Sequence, residues 1–366
     1  MAVIVVTMSF RVVHAQQTLQ LSPGVEARDV DFMKISDGLF LSGDGFAVSQ
    51  RHQDQIWVFA GDGKRTAVLG RSGSGPGEFQ TLALIGEHND SIWGIDVTLQ
   101  RVVVFSGSGR HLTTFRFAPP TAPGLSRPPT PLAVLADGSI LAIQGRSIEQ
   151  DPDMMRPFMR FSRDGRELGT FAGVRAGGTS VRVRLGEVSL TFNQPLRSGT
   201  FHDLSSDGTR LAVCQAGNAA TDRMFSIEVF NAAGERLWQR GVPYTPVRVS
   251  RKDAELVLDQ AMQVFDGSSL PQQLLNRARE EIVLPEFYPP VSDVIVTNQG
   301  QVWVRGPGLP ASDIRWDIFD DRGAHIGWVA VPTGFDILDV DGRRVLVTYS
   351  DELGVPHLQV YRTVDW

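Results

Sequence analysis

Four aspartates and a histidine have the residue types and placing to do chemistry together. Asp31, His202, Asp203, Asp293 and Asp336 each stand near the start of a short apolar run, at intervals spread over most of the 366 residues, with Ser292 beside Asp293. If a fold brought those starts to one point, several carboxylates there would suit a hard cation such as calcium, and His202 with Asp203 would suit proton transfer. The other reading is structural, since aspartates in such positions also cap turns or accept hydrogen bonds from main-chain amides. Both readings need the same thing of the chain: repeated elements that converge.

The repeat that would supply them is visible. Its unit is an apolar strand, an Asp-Gly or similar turn, a second strand, a variable loop, a third run ending in Val-Phe or a near equivalent, another glycine turn and a closing strand. One copy runs through 46–48, 56–59, Asp62-Gly63 and 68–69. A second has 82–85, Asn89-Asp90, 92–95, 101–105 and 112–115, and a third has 132–135, Asp137-Gly138, 140–143, 158–161 and 168–171. The fourth has Leu204, Asp207-Gly208, 211–213, 227–230 and 237–238. The fifth has 294–296, Gln299-Gly300, 302–304, 316–319 and 326–329. The sixth has 337–338, Asp341-Gly342, 345–347 and 358–361, and lacks a fourth strand.

A repeat of roughly 40 to 50 residues implies stacked or radial units. Six such units of four antiparallel strands predict an all-β, six-bladed propeller, and its short last unit must borrow a strand so that no edge stays open. Residues 18–21 are the available segment, so pairing of the two chain ends is expected to close the ring. The starts of the innermost strands would then line one channel, which is where Asp31, His202, Asp203, Asp293 and Asp336 would meet.

Two stretches break the pattern. Residues 174–200 alternate apolar and polar on either side of Gly186-Glu187, which predicts an inserted β-hairpin, placed as a flap over one mouth of the ring. Residues 250–285 carry apolar residues three and four apart, with Pro271 suited to a helix start, which predicts two short helices.

Composition agrees with one large globular domain over residues 16–366. Hydrophobic residues make up 42% and supply a core, while 37 Gly and 21 Pro spread along the chain supply turns. With 35 basic against 41 acidic residues and no basic run, nucleic acid is not an expected partner. Cys214 is the single cysteine. It excludes an internal disulfide and a Cys-based zinc site, and its apolar setting predicts a buried thiol.

Residues 1–15 form a short apolar run ending in Val13-His14-Ala15, the small-residue form of an export cleavage site, interrupted by Arg11. Nothing later reaches the ~18 apolar residues of a membrane span. The chain is therefore expected to be periplasmic or secreted if bacterial, and monomeric.

The loop Gly73-Ser74-Gly75-Pro76-Gly77-Glu78-Phe79, followed by Gln100-Arg101 and the apolar run 102–105, resembles the NHL-repeat and six-bladed β-propeller families of bacteria, where a Gly-Pro-Gly-Glu-Phe loop links successive blades. The ending 351–361 resembles the closing strand of exported members of that group. Units three to six lack the loop. The resemblance implies a propeller over nearly the whole mature chain and implies no activity. In the residues themselves Gly73, Gly75, Pro76, Gly77, Glu78 and Phe79 form a structural motif. The loop follows a hairpin and opens no helix with a lysine, unlike a phosphate loop.

Gly-x-Ser-x-Gly, His-Glu-x-x-His, Gly-Lys-Ser/Thr and EF-hand patterns do not occur in the sequence. The reading these observations favour is a binding or interaction module with a protein, peptide or small-molecule ligand at the channel mouth and no required cofactor. A metal-dependent hydrolase or lyase of the lactonase or arylesterase kind, with channel-bound calcium or zinc, is the alternative; a cell-envelope scaffold is a third. Trp57, Trp93, Trp303, Trp316 and Trp328 fall on the repeat strands and are expected to pack between units.

Overall fold

A computed structural model describes residues 17–364 except 29, 118, 120, 122–127, 145–154, 176–179, 197, 218–220, 266 and 309–312. The export-signal reading of residues 1–15 lies outside the described residues. Among those described, six four-stranded units follow one another as the repeats predict. The innermost strands are Ile35–Phe40, Leu82–His88, Thr130–Val134, Thr200–Leu204, Asp293–Val296 and Phe335–Asp341, in blades 1 to 6.

The turns explain why each unit folds back on itself. The glycines of the Asp-Gly turns hold positive φ, as at Gly63 (82°), Gly138 (78°) and Gly208 (69°), the conformation a side chain resists. At Gly208 the constraint is doubled. A β-carbon there would lie 2.8 Å from the carbonyl oxygen of Val134, in the neighbouring blade, whose Ala136 N–H donates to the Gly208 carbonyl at 3.1 Å.

β-Branched and aromatic residues fill the space between sheets. Trp303 and Trp316 are buried with Ile318 and Val329 between blades 5 and 6, and Phe79 is buried with Leu69 and Phe105 between blades 1 and 2. Cys214 is buried among Ala212, Ile227 and Val294.

The ring closes through the chain ends. Strand Gln17–Glu26 starts parallel to the outer strand of blade 5, with Leu19 opposite Val329, then runs antiparallel to Pro356–Val364, with Leu21 opposite Thr363 and Pro23 opposite Tyr361. The closing segment is thus longer than the expected 18–21, and Leu19 itself sits beside blade 5. Gly24 fits against the last strand because a β-carbon there would lie 2.7 Å from the Val360 carbonyl oxygen.

Both insertions form. Helices span Arg251–Gln263, with a Ser250/Asp253 capping box, and Gln272–Glu280, with Pro271 as the N-cap residue. The hairpin pairs Ser180–Leu185 with Val188–Asn193. It packs on the second helix: Val183 and Leu190 share a small core with Leu274 and Ala278, and the Arg277 guanidinium donates to the Arg184 carbonyl. The described contacts make hairpin and helices one lobe.

The closure makes a direct prediction. Deleting residues 1–26 leaves strand Pro356–Val364 with an open edge, so calorimetry should show a midpoint lower by at least about 10 °C and light scattering should show aggregation. Deleting residues 1–16 should leave both readings unchanged.

Candidate functional site

The axis of the ring holds a cavity of about 170 Å³. Its wall includes Asp37, Asp203 and Asp339, from the innermost strands of blades 1, 4 and 6, together with His202 and the apolar side chains of Leu84, Ile85 and Leu338. Among the described residues, no Lys or Arg lines it.

Each of the three aspartates is tied to the next blade. Asp37 accepts from the Ile85 amide at 3.1 Å, Asp203 from the Val296 amide at 2.8 Å, and Asp339 from the Phe40 amide at 2.7 Å. Asp37 and Asp339 also accept from the amides of Gly38 and Val340, their own neighbours in sequence. A sheet edge facing the axis has N–H groups with no strand beside them, and a carboxylate from the preceding blade is the partner that reaches them.

These bonds favour the ionised form, yet burial outweighs them. Asp37 is pushed up to about 6 and Asp339 to about 7, in both cases by loss of water around the carboxyl. Asp203 is raised well above the ordinary carboxylate value by burial and then by the charges of Asp339, Asp293 and Asp37. His202 moves the other way, down to about 4, because water is displaced from around its ring and Arg156 adds a like charge. The residue as a whole remains exposed, and its ring meets the Phe158 ring edge-on at 4.9 Å. It is a neutral imidazole at neutral pH.

The remaining sequence candidates separate. Asp31 is exposed and precedes the first inner strand, so it does not reach the channel; Asp37, six residues on, takes that place. Asp293 accepts from the Val294 amide at 2.9 Å, and its carboxyl is raised by burial against the opposing effect of Arg305. Asp336 is largely exposed and pairs with Arg305 at 3.3 Å. A guanidinium thus stands with the two carboxyls that were to hold a cation beside Asp203. Among the described residues no three of His, Cys, Asp or Glu come together in a geometry that could hold a metal ion. The channel aspartates are arranged as ties between blades and not as a chelating set.

Asp37 and Asp339 were missed by the sequence reading, for a reason the strand pairing shows. Both follow an irregularity in the inner strand, between Ile35 and Asp37 and between Ile337 and Asp339, which resets which side chains face the axis. The loop from Gly73 to Phe79 lies outside this cavity. Glu78 accepts from the Gly75 amide at 2.7 Å and from the Arg71 Nε at 2.8 Å, Arg101 donates to the Ser74 and Glu78 carbonyls, and Phe79 is fully buried. Gly73 and Gly77 hold positive φ, at 152° and 73°. The loop carries the chain from blade 1 to blade 2.

Comparison with known proteins now decides the architecture. Residues 28–120 match a family model described as a 6-bladed beta-propeller. The chain is a six-bladed β-propeller. Among solved structures it is similar to a member of the DUF4221 family from Bacteroides vulgatus, at 10% identity and a TM-score of 0.54, over 96% of this chain and 100% of that one. It is also similar to a candidate exported protein from Bacteroides fragilis, at 14% identity and a TM-score of 0.49, over 97% and 98%. A third is the calcium-binding protein regucalcin from Agrobacterium tumefaciens, at 9% identity and a TM-score of 0.44, over 94% and 97%. At these identities the likeness is one of fold alone. No curated protein matches the chain. Among the described residues of the propeller, no helix is long and apolar enough to cross a membrane.

The channel carboxyls give a pH prediction. A carboxyl whose folded value lies above its unfolded value of 3.8 contributes stability that is present below that value and is lost as pH rises through the folded one. Asp203→Asn keeps the oxygen that accepts from Val296 and removes the charge. It should therefore match the native protein near pH 4 in chemical denaturation and become the more stable of the two as pH rises toward 8. Asp203→Ala should instead cost about 1–3 kcal/mol, by leaving the Val296 amide without a partner.

Proposed function

We propose that this chain is an exported, monomeric binding module that takes a cationic group of a small molecule, peptide or protein in its central channel. One observation carries the reading. Three carboxyls from three blades meet in a cavity lined, among the described residues, by no Lys or Arg.

Burial makes those carboxyls hold their protons more tightly than ordinary carboxylates do. A bound cation would oppose that, favouring their ionised forms. The volume of about 170 Å³ falls below the several hundred Å³ typical of sites for drug-sized ligands. It suits an ammonium group or the tip of a basic side chain, with the rest of the ligand outside at the mouth. The walls suit this too, since Leu84, Ile85 and Leu338 would pack on the methylenes behind the charge. Export is supported by the apolar run and Val13-His14-Ala15 ending of the first fifteen residues.

Titration calorimetry with spermidine and with a lysine-terminated peptide should give saturable binding that is at least about tenfold tighter at pH 8 than at pH 5, with proton release. Asp339→Asn and Asp203→Asn should each weaken it. Binding of calcium without binding of either amine would turn the reading toward a metal site. Binding of amines that ignores pH and both substitutions would remove the channel from it.

A further inference from the structure

A second cavity, of about 610 Å³, lies between blades 4 and 5 and shares no lining residue with the channel. Phe225, Tyr244 and Phe319 give it aromatic walls, and Tyr288, from the segment that follows the second helix, completes them. Its volume is within the range of small-molecule sites.

The charged groups in its lining do not cancel. Arg315 grips Asp317 through Nε at 3.0 Å and Nη2 at 2.6 Å, and His325 Nε2 lies 2.8 Å from the same carboxylate. Those contacts hold the Asp317 carboxyl below its ordinary value against the opposing effect of burial, so its charge is fully engaged. Arg240 donates one hydrogen bond, to the Gly323 carbonyl at 2.7 Å, and has no carboxylate at ion-pair distance among the described residues. One positive charge is left over.

Tyr288 is 2% exposed, so it closes the wall with its ring while its hydroxyl is shut off from the cavity. Burial, and then the nearby Asp253 carboxylate, push that hydroxyl up to about 12.

We propose that this cleft binds a small organic acid with a flat apolar body, an aromatic carboxylate being the simplest case. The anionic group meets Arg240, and the ring lies against Phe225, Tyr244, Phe319 and Tyr288. The apolar walls give the ring its binding surface, and the charge selects acid over amide.

The test is titration calorimetry on the full chain with benzoate, phenylacetate and indole-3-acetate, each beside its neutral amide. At least one acid should bind saturably and at least about tenfold more tightly than its amide. Arg240→Met should level that pair. Tyr244→Ala, in the wall, should weaken acid and amide alike by severalfold. Asp203→Asn, in the channel, should leave acid binding as it was. The proposal is overturned if none of the three acids binds, if acid and amide bind alike, or if the folded Arg240→Met protein keeps the native preference for acid over amide.

Discussion

The inner edge of each blade sets the terms for the whole ring. A strand that faces the axis has amide hydrogens with no strand beside them, and in a narrow channel bulk water cannot serve them all. Carboxylates from the preceding blade serve three, at Ile85, Val296 and Phe40. Each tie is a hydrogen bond and also a statement of angular position, because it fixes one inner strand against the next.

Elsewhere the same need is met at the turns. Ser206 and the Asp207 amide donate to the Asn298 side chain, Arg210 donates to the Asn298 carbonyl, and Gln299 reaches Asp341. Arg344 returns to the carbonyls of Gly43 and Asp44, and Glu87 accepts from Ser42. The turns after the innermost strands therefore form a second set of polar ties beside the carboxylate ties. Side-chain bonds of this kind are the means by which sheets that share no strand pairing stay in register around an axis. The pair of blades joined by strand Gln17–Glu26 is the exception, since there the main chain itself bridges the two sheets.

Most of the architecture could be read from the sequence because it rests on local chemistry. Asp-Gly turns and apolar runs of four to six residues mark strand ends, and the unit without a fourth strand announces that another segment must complete it. The site was less legible, and the reason is parity. Successive side chains of a strand face opposite ways, so one irregularity moves the inward position by a residue. Asp31 has the right type of side chain in the wrong place, because strand Ile35–Phe40 carries only two large apolar residues at its end and offers no strong pattern to locate it. Asp339 sits directly after Ile337-Leu338 and close to the Asp341-Gly342 turn, where any of three carboxylates could have been the inward one. The cleft between blades 4 and 5 had no sequence signal at all, since its lining is drawn from six separate segments.

That cleft also shows how an insertion changes a symmetric scaffold. In a plain ring, a short linker carries the outer strand of one blade to the inner strand of the next, as the Gly73 to Phe79 loop does between blades 1 and 2. Between blades 4 and 5 the chain leaves for two helices before it returns through Tyr288 and Pro290 to the inner strand at Asp293. The linker no longer fills the groove between the sheets, and aromatic side chains line the space that remains. The helices are held by the hairpin from the previous junction, through Val183, Leu190 and Leu274, so two departures from the repeat stabilise each other. A ring built to be closed at its axis thus gains an asymmetric recess at its flank, where side chains that the repeat does not dictate are free to select a ligand.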